Sequence, residues 1–378
     1  MRKKILLIPL ALLLAISLVA IGCAAPAPEP VPGPPGPPGP PGAPAPAPAP
    51  APVVEEPALT YHWKIGTCVG GEHLGLKAAY KWSALLAERS NDRIIMDIYP
   101  EALLGDYVFQ NEQITLGYQE GCWTCPASEY EPRWDICYLG FGPGTWPQIK
   151  EMWGPKTGWM PPILEPIFED SNYKCLGIFP SGFVNYASCE RRVTTPEEAK
   201  GFKMRVMLAK NQVLRFNAMG FSTVPMAFSE LYTALQTGVV DGRAACVIVE
   251  AWDMRDALKY FVFSRDSFEV WPIIINLDLW NSVAPEDQAI FQEVTDEVIN
   301  WTWEQAVADE QHWVEMLEDY GMGVIYLTDE EWETFANRAR SAEWPYFREL
   351  VGDEIMDSIM DELVRTGVCT EEATLLSR

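Results

Sequence analysis

The stretch Thr195–Gly242, TPEEAKGFKMRVMLAKNQVLRFNAMGFSTVPMAFSELYTALQTGVVDG, decides the fold, because strand and helix signals alternate within it at close spacing. Thr195 stands at a cap position, Pro196 in the first turn and Glu198 at the third helical position, a capping box for a short helix that Gly201 ends. Phe202–Met207 (FKMRVM) reads as a strand, and Lys210–Met219 as a helix stopped by Gly220. Ser229–Thr237 is a second helix, capped by Ser229 and closed by Gly238. Val239–Gly242 then turns the chain into a strand over Ala244–Val249.

Outward from this stretch the same alternation recurs. Tyr61–Thr67 and Arg93–Tyr99 read as strands, with helical spacing over Glu72–Ser90 and from Tyr107 to Leu116. Such alternation implies βαβ units and a mostly parallel sheet covered by helices. Beyond Asp135 a Trp-rich region punctuated by Pro and Gly runs to Asn172, and Tyr173–Ala187 reads as a long strand pair or crossover. Ala284-Pro285-Glu286-Asp287 opens a long helix towards Asp319, and two further acidic helices follow.

The N-terminal 58 residues read differently. Arg2, Lys3 and Lys4 precede an apolar run, Ile5–Ile21, that ends in Ala20-Ile21-Gly22-Cys23. Small residues before a Cys fit a lipoprotein cleavage box with Cys23 as the lipidated residue, although Ala20 stands where such boxes usually carry Leu. A plain signal peptide cut near Ala24 or Ala25, or an uncleaved anchor, are the other readings. Residues 24–58 hold 16 of the chain's 32 prolines, in Ala-Pro repeats and three Gly-Pro-Pro triplets. Pro-rich chain of this kind adopts extended polyproline II at about 3.1 Å per residue, so 35 residues make a semi-rigid tether of up to roughly 100 Å. The expected layout is therefore a signal segment over 1–23, a tether over 24–58 and a body over 59–378. The body is expected to have two discontinuous lobes, near 59–180 and 181–285, with C-terminal helices across them.

Charge narrows the function. Against 28 Lys and Arg stand 53 Asp and Glu, a net charge of −25. That balance excludes the basic surface on which nucleic-acid binding depends. Three histidines leave little for His-based catalysis or a His-rich metal centre. Arg205, inside the apolar strand Met204-Arg205-Val206-Met207, is the outstanding residue. A guanidinium against a sheet needs an anionic partner, and its planar fork matches a carboxylate. That partner is either a ligand or an Asp or Glu of the chain itself. Cys122-Trp123-Thr124-Cys125 has redox-motif spacing, but Pro126 follows and no useful helix does, so small buried thiols are the simpler reading. Gly140-Phe141-Gly142-Pro143-Gly144 lacks the third Gly of a nucleotide loop and leads into Trp146-Pro147, not a helix start. No residues call for a cofactor or a metal.

The pieces Pro196-Glu197-Glu198, Gly201–Val206, Val224-Pro225-Met226, Glu230–Gln236 and Gly238–Gly242 together resemble the signature region of the solute-binding proteins of tripartite ATP-independent periplasmic (TRAP) transporters. The resemblance covers about residues 61–365. It implies a two-lobed α/β fold with a long helix spanning both lobes, no enzymatic step, and delivery of a ligand to a membrane permease. The family's carboxylate-binding Arg falls on Arg205, and an aromatic position beside the ligand on Phe228. First-lobe strand ends map to Cys68 and to Trp123 through Pro126. The family's second Arg falls on Asn185, and a polar position after the Val-Asp-Gly turn on Ala245. A cleft lined by Cys68, Trp123, Cys125, Asn185 and Ala245 would suit a small monocarboxylate with an apolar or aromatic body, in place of a sugar acid or dicarboxylate. A ligand-presenting sensory protein, or an anchored thiol–disulfide oxidoreductase using Cys122 and Cys125, are the alternatives.

Overall fold

Trp63 and Ile65 point inwards and His62 and Lys64 outwards along Tyr61–Gly66, the period-2 pattern of a strand with one face in a core. The computed structural model describes Gly33, Gly36 and residues 59–377, and the unit Pro57–Arg378 is one compact body. The signal segment, Cys23 and the Pro-rich tether lie outside the described residues, apart from the two glycines. Among the described residues the strands are β1 (Tyr61–Gly66), β2 (Ile94–Tyr99), β3 (Gly121–Trp123), β4 (Tyr173–Ser188), β5 (Lys203–Val206), β6 (Ser222–Pro225), β7 (Gly242–Cys246), β8 (Tyr260–Asn276) and β9 (Gly323–Tyr326). They pair in the order β2-β1-β3-β8-β4-β7-β5-β6, with β9 added on β8.

Two long antiparallel strands, β4 and β8, carry the two-lobed architecture. At one end β8 pairs with β3 through Ile273–Ile275, next to the parallel β1 and β2. At the other end it pairs with β9 through Tyr260–Phe263, while Asn185–Ser188 of β4 pair with β7. Between these ends the ladder is broken by register shifts at Cys175/Gly177, Pro180/Gly182 and Val184/Tyr186, and Gly182 has φ 145°, a conformation open to glycine. The strands therefore change neighbours, and bend, where they pass from one lobe to the other.

The helix Pro285–Tyr320 is 36 residues long, about 54 Å at 1.5 Å per residue, and contributes to both lobes. Its first half meets the first lobe. Trp82 Nε1 donates to Thr295 Oγ1 at 2.9 Å, and Phe291 stacks on Trp63 with ring centroids 5.1 Å apart. Its last turns supply Trp313 and Leu317 to an apolar cluster of the second lobe. There the sheet separates two clusters by residue parity. Met204, Val206, Ala244 and Val262 pack with Phe216 and Phe335, whereas Phe261, Phe263 and Ala187 pack with Leu231 and Leu235. Arg205 sits between Met204 and Val206, and Arg243 next to Ala244, so both leave the sheet on the opposite face.

Several local expectations change. Tyr173–Ser188 is one unbroken strand, not a strand pair or crossover, because its partner is the equally long β8, which the sequence pattern did not reveal. β7 ends at Cys246, and Ile248–Asp253 is a short helix in place of a continued strand. The helix expected from Ser229 starts at Phe228 with Ala227 at the cap, and no side chain caps it.

Candidate functional site

Arg205 is 1% exposed. Its Nε and Nη2 both donate to the Met226 carbonyl, at 3.1 and 2.9 Å, which fixes the fork against the segment leading into the helix Phe228–Gln236. No carboxylate of a described residue lies within 4.0 Å of it, so the internal ion pair left open by the sequence is absent among the described residues. Strand register places Arg243 directly opposite Arg205 across β5 and β7. Burial, and then repulsion by Arg243, draw the Arg205 pKa down to about 10, still high enough to keep it charged at neutral pH. Arg243 is compensated. It pairs with Glu250 Oε2 at 2.5 Å, donates to the Ala245 carbonyl and lies 5.7 Å from the ring centre of Phe228.

A cavity of about 30 Å³ opens beside Arg205, closed in by both lobes. Of the seven residues the sequence singled out, it brings five together: Cys68 and Cys125 from the first lobe, and Arg205, Phe228 and Ala245 from the second. Ala245 holds φ 48°, costly for a residue with a Cβ, at the point where the β4–β7 register shifts. Trp123 and Asn185 do not line the cavity. Trp123 is a core residue, edge-on to Trp82 and Phe179. Asn185 spends both ends of its amide on backbone, donating to the Phe183 carbonyl at 2.8 Å and accepting from the Arg265 N–H at 3.0 Å.

The cavity is also more charged than the sequence suggested. Glu250 and Glu269 line it, with Tyr107 and Trp271. Glu269 is 7% exposed and accepts from Ser181 Oγ at 2.9 Å, and no Lys or Arg of a described residue comes within 4.0 Å of it. Burial, and then the neighbouring Glu250, push its carboxyl up to about 8. A lone Glu within the apolar run Phe268–Asn276 is the same kind of signal as Arg205 within its strand. It was missed because β8 itself was not read.

A larger cavity, about 480 Å³, lies between the end of the helix Trp146–Trp153, the helix Met160–Asp170, β4 and the long helix Pro285–Tyr320. Its charged side chains are exposed or half-buried, and Lys156 there is paired with Asp296 at 2.7 Å. It has no counterpart to the buried, uncompensated Arg205, so the smaller cavity is the candidate site.

The family model described as bacterial extracellular solute-binding protein, family 7, matches residues 65–348. The chain belongs to that family. The sialic acid-binding periplasmic protein of Vibrio cholerae is 25% identical over 251 residues, 64% of this chain and 75% of that one. A TRAP periplasmic solute-binding protein of Desulfovibrio salexigens, solved with orotic acid bound, superposes with a TM-score of 0.75 at 23% identity, covering 81% of this chain and 100% of the other. One from Ralstonia eutropha, solved with (S)-2-acetolactate, gives a TM-score of 0.72 at 19% identity over 80% and 99% of the two chains.

Family members are binding proteins and not enzymes; they take up small organic acids outside the cytoplasm and work with membrane permease components. The thiols fit that description. Burial pushes Cys68 up to about 12, and Cys122 and Cys125 well above their ordinary value. A buried thiol of that kind is not the nucleophile an oxidoreductase needs. No helix among the described residues is long and apolar enough to cross a membrane.

Proposed function

We propose that the protein captures a small monocarboxylate with an apolar or aromatic body in the cleft between its lobes, holds the carboxylate on Arg205, and delivers it to a TRAP permease. The observation that carries this reading is a fully buried guanidinium with no carboxylate of a described residue within 4.0 Å, opening on a cavity lined from both lobes. Burying an uncompensated cation costs several kcal/mol, and a ligand carboxylate is the partner that offsets it. Phe228, Tyr107 and Trp271 supply aromatic walls for the ligand body. Cys68, Cys125 and Ala245 themselves add no strong donor for the hydroxyls of a sugar acid.

A cavity of 30 Å³ is far below the roughly 300–1,000 Å³ of ligand pockets, so the lobes must part for entry and re-close on the ligand. The irregular β4–β8 ladder at Pro180/Gly182 is where that motion is accommodated. Closure is favoured only by as much as the ligand prefers the closed form, and a carboxylate that reaches Arg205 while its body touches the first lobe provides that preference. Residues 1–23 we read as a lipoprotein signal with Cys23 lipidated, and 24–58 as the tether that holds the body off the membrane.

Thermal unfolding against a panel of carboxylic acids, with Arg205→Ala alongside, tests the proposal. A ligand at 100 times its Kd stabilises by about 2.7 kcal/mol, a shift of several degrees. A shift with apolar monocarboxylates that vanishes in Arg205→Ala supports it. A larger shift with a dicarboxylate or sugar acid, or one that survives the substitution, overturns it.

A further inference from the structure

Four charged side chains meet at the cleft: Arg205, Arg243, Glu250 and Glu269. Arg243 and Glu250 satisfy each other. Among the described residues that leaves Arg205, on β5, with no carboxylate within 4.0 Å, and Glu269, on β8, with no Lys or Arg within 4.0 Å, both lining the same cavity and not paired with each other. Each is more than nine-tenths buried. Glu269 accepts a hydrogen bond from the hydroxyl of Ser181.

We propose that the ligand is a zwitterion, its carboxylate taken by Arg205 and a cationic nitrogen on the same molecule taken by Glu269. The inference rests on the carboxylate reading of Arg205 and adds a second charge to it. A plain monoanion pairs with Arg205 alone and is accommodated while Glu269 holds its proton; once Glu269 is ionised the four side chains sum to zero, and a monoanion would bring a net negative charge into a buried space beside it. A ligand with no charged group would leave Arg205 uncompensated. A zwitterion pairs both Arg205 and Glu269 and keeps the sum at zero, and its electrostatic gain is large because little water screens it. Phe228, Tyr107 and Trp271 also line the cavity, and Phe228 already holds the Arg243 guanidinium 5.7 Å from its ring centre.

The two ligand classes differ in the sign of their proton linkage. Glu269 faces Glu250 on the helix Ile248–Asp253, Arg243 on β7, Ser181 on β4, and the Cys125 thiol, and holds its proton to about pH 8. A cationic nitrogen favours the ionised carboxylate, so a zwitterion displaces that proton, and its affinity rises as pH increases towards 8. A plain acid favours the protonated form, and its affinity falls as pH passes through 8.

Titration calorimetry on the full chain, in buffers of different ionisation enthalpy, tests this with matched pairs. The pairs are L-leucine and 4-methylpentanoate, L-phenylalanine and 3-phenylpropanoate, and 4-aminobutanoate and butanoate. At least one zwitterion is expected to bind at least about tenfold tighter than its deaminated partner, with proton release. Glu269→Gln, checked for an unchanged circular dichroism spectrum and melting curve, should weaken that zwitterion at least about 30-fold and leave or improve the deaminated acid. Deaminated acids that bind more tightly in every pair, or a zwitterion affinity that Glu269→Gln does not move, overturn the zwitterion while the carboxylate role of Arg205 stands. No heat of binding from any member of either class, in folded protein freed of carried-over ligand, counts against both.

Discussion

Replacing Arg205 by Met should weaken ligand binding at least about 30-fold and yet leave the ligand-free protein as stable as before, or more so. Burial and Arg243 pull the guanidinium from 12.5 to about 10. At about 1.4 kcal/mol per pH unit, holding the charge there costs roughly 3 kcal/mol relative to water. The substitution removes that cost but orphans the Met226 carbonyl, which accepts two of the guanidinium's N–H bonds, and an unpaired buried carbonyl costs about 1–3 kcal/mol. Met fills much of the same volume, so the cavity contribution is small. The net expectation for the empty protein is between no change and a gain of about 2 kcal/mol. Losing the partner of a ligand carboxylate costs about 2–5 kcal/mol of binding, or roughly 30-fold to several thousand-fold in Kd. Urea unfolding of ligand-free protein and calorimetric titration with the preferred acid read the two effects separately. A loss of more than about 2 kcal/mol in the empty protein, together with unchanged carboxylate affinity, would show that Arg205 is a structural residue and refute the reasoning.

Other expectations follow from the same charges and packing. Arg215 is fully buried, and its Nη1 and Nη2 meet Asp266 at 2.7 Å and Glu343 at 2.6 Å. Arg215→Ala leaves two buried carboxylates without their cation and should cost about 3–5 kcal/mol in urea unfolding, far more than any change at Arg205. Cys122 and Cys125, held protonated by burial, should resist iodoacetamide at pH 8 in the native protein and react once it is unfolded; rapid native labelling would return the redox reading to consideration. Ala245→Val puts a β-branched side chain at φ 48° and should lower the melting temperature by several degrees, whereas Ala245→Gly should not.

What could be read from the sequence, and what could not, divides along physical lines. The segment from Thr195 to Gly242 was legible because its signals are local: a Thr-Pro-Glu-Glu cap, glycines that close helices, and an Arg that breaks an apolar strand. Gly220, with φ 107°, stops its helix as its position implied. β8 was not legible, because Tyr260–Asn276 is buried on both faces and shows no alternation. Missing β8 hid Glu269 and Trp271 as well, and with them the acidic side of the cleft. Asn185 was placed by family position alone, and its amide turns to backbone because β4 and β7 slip register beside it. Arg243 follows the Val-Asp-Gly turn in plain sight. Its pairing with Glu250, seven residues on, depended on Ile248–Asp253 being a helix that folds back towards the strand.

The most direct test of the account is a crystal structure of the protein with its tightest-binding acid. The account predicts the ligand carboxylate within hydrogen-bonding distance of the Arg205 guanidinium, the ligand body against Phe228 and Trp271, and the lobes closed over it. A carboxylate seated away from Arg205, such as in the larger cavity beside Trp153 and Tyr173, would contradict it.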